Sequence, residues 1–296
     1  MKNLAVIIPI KQFSIFSERM LKCLTHQELK ETRKILVFNG KFGLNDEKQV
    51  KEKLNNLTNT ECIFVRNGNA GNARNIGIEI ASDSEIMNVV FWDADDTVDV
   101  PSFRKIYYEH LSSKADITIS RFEMINLING KKKLSNNIRN IETGKFYSEG
   151  IGIWRMIFQR NNLNQEIFAP CNMGEDYVAF GSLDFTKLKI NYELGHYYSY
   201  IVGRADQLTS SKTNVVDLLV SVDTIIRRYG EIHFGKENVF CLSRLLLSVF
   251  SNLSIHNIWS ANRNILFSKL KSKDKFRIYT GMLYLLYLRR FQNNEK

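Results

Sequence analysis

Val89-Val90-Phe91-Trp92-Asp93-Ala94-Asp95-Asp96 is an apolar run that ends in three carboxylates. A short run of branched and aromatic residues reads as a buried strand, and the acids mark its exit. Carboxylates crowded at one strand end repel one another, and a divalent cation among them lowers that cost. Hard cations such as Mg2+ and Mn2+ take oxygen ligands and are often shared with a substrate's phosphates. A solvated acidic turn is the alternative for the tetrapeptide taken alone.

Upstream lies Gly68-Asn69-Ala70-Gly71-Asn72-Ala73-Arg74-Asn75-Ile76-Gly77, continuing into a helix-like stretch to Ser82. Small residues let backbone approach a ligand, and Arg74 has the geometry to hold a phosphate or carboxylate bidentately. The glycines alone read as a turn before an ordinary helix, since they form neither a Walker loop nor a G-x-G-x-x-G fingerprint. Strands are expected at residues 4–10, 34–38, 62–66, 89–92 and 116–121, with helices at 16–29, 47–57, 72–81 and 102–112. Such alternation predicts an α/β fold with a mostly parallel central sheet flanked by helices. Ligands collect at the carboxyl ends of the strands in such sheets, the edge expected to carry Asn39, Arg66 to Arg74, and Asp93 to Asp96.

Farther along, 129–133 reads as a hairpin turn and 146–158 as a helix. From residue 214 the pattern is helical, with Leu218, Leu219, Val222, Ile225 and Ile226 on one face. The expected organisation is a catalytic domain over 1–212 and a helical region over 213–296.

At 296 residues the chain can bury a substantial core. Its four cysteines, Cys23, Cys62, Cys171 and Cys241, are scattered without a C-x-x-C pair, which suits reduced thiols in a cytoplasmic protein rather than zinc ligands or disulfides. The apolar run near the N-terminus is too short to span a membrane and lacks a signal-peptide cleavage pattern. Formal net charge is +10, and from Arg263 onward nine Lys or Arg stand against two acids. A nucleic-acid partner is not expected, because no binding motif accompanies the charge. The basic, aromatic tail over 269–291 suits either an anionic membrane surface, at the inner face of the plasma membrane, or a helix packed on the domain or in a homodimer.

Ala73-Arg74-Asn75 with Gly77, followed by Asp93-Ala94-Asp95-Asp96, resembles the nucleotide-sugar site of family 2 glycosyltransferases, which have the GT-A fold. A second segment, Gly174-Glu175-Asp176 with Phe180, resembles that family's G-E-D-x-x-F, although acids in a helix's first turn also favour the dipole by themselves. Tyr197 to Arg204 is similar to the Y-x-Y-R segment of bacterial members. The resemblance implies an inverting transferase that moves a sugar from a nucleotide-sugar donor, UDP by preference, to a hydroxyl of a glycan or lipid-linked acceptor in cell-surface polysaccharide synthesis. It implies Asp176 as general base and Glu175 beside it orienting the acceptor. Mn2+ or Mg2+ would sit at Asp95 and Asp93. Arg74, Asn75, Asp93 and Ala94 would line the donor site, and a late His196 is a lesser metal candidate. Pro9 and Lys11 stand in the family's P-x-Y-N turn, and Asn39 stands where it has an aspartate after the second strand. Asn39 retains the capacity to hydrogen-bond a base.

Two other readings share these residues. Phe91 to Thr97 also satisfies the hydrophobic strand and D-x-D-x-T of haloacid-dehalogenase-type phosphatases, in which Asp93 would be nucleophile and Asp95 acid/base. That reading leaves Ala73-Arg74-Asn75 and the preceding strand–helix units unexplained. The altered Asn39 region admits a transferase-like domain kept for binding alone.

Overall fold

All seven residues of β1 (Leu4–Ile10) are apolar, and six of them are buried. A strand covered on both faces belongs in the middle of a parallel sheet, and there the computed structural model has it. The structure describes all residues except 13–15, 67, 83–84, 136–150, 165, 204–216, 229–234, 253–264, 266–270 and 295–296. Two compact units result, one of Met1–Ile138, Gly152–Glu166 and Lys189–Ala205, the other of Arg139–Ile151, Ile167–Leu188 and Asp206–Lys296.

The first unit is built on a nine-stranded sheet. In chain order its elements are β1, α1 (Glu18–Leu24), β2 (Arg33–Phe38), α2 (Leu44–Leu54), β3 (Thr60–Phe64), α3 (Ala70–Ser82), β4 (Asn88–Phe91), β5 (Thr97–Val98), α4 (Val100–Ser113), β6 (Ile117–Asn126), β7 (Lys132–Leu134), β8 (Met156–Gln159) and β9 (Ile190–Val202). The sheet order is β3-β2-β1-β4-β8-β6-β9-β5, with β7 beside β6. From β3 to β4 all pairs are parallel. Beyond β4 the sheet is mixed, because β8 runs antiparallel to both β4 and β6, and β5 antiparallel to β9, while β6 and β9 run parallel with a bulge.

Local chemistry sets the helix starts. Ser17 caps α1 by accepting from the Met20 amide, Asn69 caps α3 by accepting from Asn72, and Asp99 caps α4 just ahead of Pro101. Gly77 lets α3 lie close on β1, since a Cβ there would meet Ile7 Cγ2 at 2.3 Å. Phe42 folds the loop after β2 back onto Phe38 and Phe64, its ring centroid 5.4 and 6.0 Å from theirs.

The helix expected over 146–158 is a correction. Residues 146–150 lie outside the described residues, and the rest form a short 3-10 turn and strand β8. Met156-Ile157-Phe158 is a buried apolar run between two strands, and such a short run is helix or strand by context rather than by period. The helix expected over 16–29 ends at Leu24 and is followed by a separate 3-10 turn.

The second unit holds α5 (Glu175–Gly181), α6 (Asp217–Arg228), α7 (Lys236–Asn252) and α8 (Ser272–Asn294). Leu218, Val222 and Ile225 of the expected apolar face are buried in its core with Val178, Leu242 and Leu245, and Leu219 and Ile226 pack half-buried against it. Asn238, fully buried, donates to the carbonyls of Gly181 and Leu183 and ties α7 to the end of α5. Among the described residues no helix is long and apolar enough to cross a membrane.

Candidate active site

The carboxyl ends of β2, β1 and β4 lie side by side and carry Asn39, Pro9 to Lys11, and Asp93 to Asp96. Asn39 is buried, its amide donates to the Ile10 carbonyl, and its Oδ1 finds no hydrogen-bond partner among the described residues. Gly40 beside it permits the close passage of two chains, because a Cβ there would overlap the Lys11 carbonyl oxygen at 1.7 Å. Pro9 is half-buried, and Lys11 and Arg66 are exposed.

Arg74, in the second turn of α3, is buried and donates from Nη2 to Asp93 Oδ1 at 2.8 Å. The pair is only partly screened by solvent, so the guanidinium offsets charge that the acidic turn would otherwise hold alone. Asn75 and Asp95 are half-buried, and Ala94 is buried with its carbonyl accepting from Ser17 at the start of α1.

The third acid departs from the expectation of three carboxylates around one cation. Asp96 is fully buried, accepting from the Tyr198 hydroxyl at 2.8 Å and the Ile201 amide at 2.8 Å. Tyr198 also accepts from the Asp93 amide at 3.0 Å, so one hydroxyl grips both ends of the turn. Burial, with Asp95 and Asp93 alongside, pushes the Asp96 carboxyl well above its usual range, against the pull of those two donors. Asp96 is therefore a brace of the fold, and Asp93 and Asp95 are the half-buried acids of the turn. Tyr198 orders the acidic turn, a role its own segment did not reveal. Its ring stacks on Trp154 at 4.5 Å, and Trp154 stacks in turn on Tyr200 at 5.4 Å. Alternate tyrosines in a strand signal one shared face, but nothing local signals a bond to residues about a hundred positions earlier.

A divalent cation fits this donor set in a limited way. No group of three or more His, Cys, Asp or Glu gathers as a metal site among the described residues. Mg2+-type sites commonly use one or two carboxylates and complete their shell from phosphate oxygens and water. Asp93 and Asp95, two positions apart in the turn after β4, are the carboxylates such a cation would use. His196 is exposed on β9, paired in register with Arg121.

In the second unit, Gly174 adopts φ +86° at the start of α5, a conformation that favours glycine. Glu175 is buried and Asp176 half-buried in the first turn, with Phe180 in the core. The turn before them is held by the Cys171 thiol and the Ser221 hydroxyl against the Met173 carbonyl, and by the Asn172 amide on Asp217. Burial pushes the Cys171 thiol up to about 12, so it is inert packing. Arg204 lies outside the described residues.

Comparison with known proteins bears on this arrangement. The profile described as glycosyl transferase family 2 matches residues 5–174, more than half of the chain. No curated protein matches the sequence. Among solved structures, S. aureus TarS 1-349 in complex with UDP-GlcNAc superimposes with a TM-score of 0.62 at 16% identity, covering 96% of this chain and 80% of that one. The same protein in complex with UDP gives 0.59 at 14% identity, over 99% and 92%. Mannosyltransferase PcManGT from Pyrobaculum calidifontis, in complex with GDP-Man and Mn2+, gives 0.51 at 10% identity, over 96% and 87%. At these identities the likeness shows the fold, and the family rests on the profile. A phosphatase reading of Asp93 and Asp95 is not retained, and the strand–turn–helix order, the Arg74–Asp93 pair and the profile together make this chain a member of glycosyl transferase family 2, a glycosyltransferase with the GT-A fold.

Proposed function

We propose that the chain moves a sugar from a nucleotide-sugar donor, a UDP-sugar, to a hydroxyl of a glycan or lipid-linked acceptor, with inversion at the anomeric carbon. The observation that carries the donor reading is Asn39. A buried carboxamide oxygen without a partner is costly unless a donor reaches it, and a uracil ring offers an N–H flanked by carbonyls. Asn39 stands at the same sheet edge as the paired Arg74 and Asp93. Structural neighbours that carry UDP, UDP-GlcNAc or GDP-Man support the nucleotide sugar as donor class.

Asp95 with Asp93 would hold Mn2+ or Mg2+ together with the donor's phosphates, and that cation supplies neutralisation of the leaving diphosphate. Arg74 keeps Asp93 oriented for this. Asp176 takes the proton from the acceptor hydroxyl as it attacks, and Glu175 orients the acceptor. A single displacement by one base needs no covalent intermediate and no second catalytic carboxylate. Transfer is assigned to residues 1–212, and the helical region 213–296 to attachment or self-association in cell-surface polysaccharide synthesis at the cytoplasmic face of the membrane.

Calorimetric titration with UDP and GDP, with and without Mn2+, tests the reading. UDP heats that require Mn2+ and vanish in Asp95→Ala are expected, while Asp176→Asn keeps UDP binding and loses turnover by about 100-fold or more. Absence of nucleotide binding at any metal concentration would sink the donor site.

A further inference from the structure

Ile128 is 81% exposed, the most exposed large hydrophobic side chain of the described residues. It sits at the tip of the β6–β7 hairpin next to Leu127, 42% exposed, and ahead of Lys131, Lys132 and Lys133, all exposed. An exposed aliphatic pair beside three cations is uncommon on a surface that only faces water.

The tip is not a slack loop. Asn126 Oδ1 accepts from the Ile128 amide at 2.9 Å, Asn129 Oδ1 accepts from Lys131 at 3.0 Å, and the Gly130 amide closes on the Asn126 carbonyl at 2.8 Å. Leu127 is anchored to the end of β9 through the Val202 carbonyl at 2.9 Å. Gly203, at φ +89°, leaves room beneath the tip, since a Cβ there would meet Ile128 Cγ1 and Asn126 Oδ1 at 3.0 Å. The tip is thus ordered, with Ile128 lying over Gly203 and most of its side chain exposed. Lys132 reaches Glu123 at 3.5 Å, and Lys131 and Lys133 have no acidic partner among the described residues.

Register shows where the tip points. Both β4 and β6 run antiparallel to β8, with Phe158 opposite Val89 on one side and Ile117 on the other. Ile119 is therefore level with the end of β4, and β6 continues seven residues beyond it to Asn126. Ile201, paired with Ile125 of β6, donates its amide to Asp96, so the hairpin tip stands just beyond the level of the acidic turn.

We propose that this hairpin is a docking tip for an anionic lipid surface: Leu127 and Ile128 enter the interface between headgroups and acyl chains, and the lysines hold the anionic headgroups. Apolar insertion combined with adjacent cations is the chemistry by which peripheral segments bind such membranes, and a soluble anionic polymer would reward the lysines without rewarding Ile128. The assignment adds to the transferase reading without depending on it.

The test is co-sedimentation of the full chain with phosphatidylcholine vesicles and with vesicles that also contain phosphatidylglycerol. Binding only to the anionic vesicles is expected. Each lysine contributes roughly fivefold near such a surface, so K131Q/K132Q/K133Q weakens binding by about 100-fold, and Ile128→Asp weakens it at least tenfold with an unchanged melting temperature. Ile128→Trp gives a blue-shifted emission with anionic vesicles that brominated acyl chains quench. Unaltered vesicle affinity in both the lysine and the Ile128→Asp variants overturns the proposal. So does equal binding to neutral vesicles, competition by a soluble polyanion with Ile128→Asp silent, or loss of self-association as the sole effect of Ile128→Asp. Nucleotide titration of the same variants separates a failure here from a failure of the donor site.

Discussion

Tyr198 connects two acids that the chain places side by side but the fold uses differently. Its hydroxyl donates to Asp96 and accepts from the Asp93 amide, so the turn is pinned from within while Asp93 faces Arg74. Tyr198→Phe removes both bonds and leaves a buried amide and a buried carboxylate short of a partner. The expected cost is about 2–3 kcal/mol in urea unfolding, with UDP affinity falling as well because Asp93 is no longer held. Stability unchanged within error in that variant would show that the hydroxyl does not carry the turn. Asp93 to Asp96 were legible as a cluster from the sequence, since three acids after an apolar run are rare enough to notice. Their division of labour was not. Which carboxylate turns inward depends on a tyrosine on β9, and residue spacing contains no record of that bond.

Among the elements, α3 sits against β1 by way of Gly77. A Cβ at that position would run into Ile7 at 2.3 Å, and Ile7 is itself fully buried in the sheet. Gly77→Ala should therefore lower stability by about 1–3 kcal/mol through overpacking, although alanine is the better helix former by about 1 kcal/mol. A melting temperature that rises in this variant would show that propensity outweighs the clash. Because Arg74 lies one turn before Gly77, displacement of α3 should also weaken nucleotide binding in the calorimeter. Most of the strand–helix alternation through residue 113 was readable, because β1, β2 and β4 carry apolar runs and Ser17, Asn69 and Asp99 cap their helices, whereas the two-residue β5 was not. Strand β8 was misread as a helix. Its few apolar residues have no period of their own, and their pairing with β4 and β6 is a tertiary choice.

Across the whole first unit, the amino ends of the strands are closed by buried polar groups opposite the site. His110 is buried between the Thr118 hydroxyl at 2.8 Å and the Asn88 carboxamide oxygen at 3.0 Å. Burial lowers its pKa to about 4, against a small opposing effect from Asp116. The folded state therefore keeps His110 neutral while the unfolded chain takes up a proton below about 6.5. Stability from this group is complete above that value and is lost as pH falls toward 4, about 3 kcal/mol at most. Thermal melts from pH 7.5 to 4.5 should drop steeply in the wild type and less so in His110→Gln. Parallel slopes in the two proteins would assign the acid sensitivity elsewhere. Lys34, also buried, donates to the carbonyls of Leu29, Thr32 and Thr58, and burial lowers its pKa to about 8. Neither group could be separated from surface counterparts by composition.

The α/β class, the site-bearing strand edge and the family motifs follow from local signals: apolar runs, caps, small residues and acids within about 25 positions of one another. Short-range chemistry writes these directly into the chain. The mixed half of the sheet, the inward turn of Asp96, the grip of Tyr198 and the exposure of Ile128 required the folded molecule. Each depends on pairing between residues far apart in sequence, and that pairing is selected by burial and register rather than by any one segment's own preference.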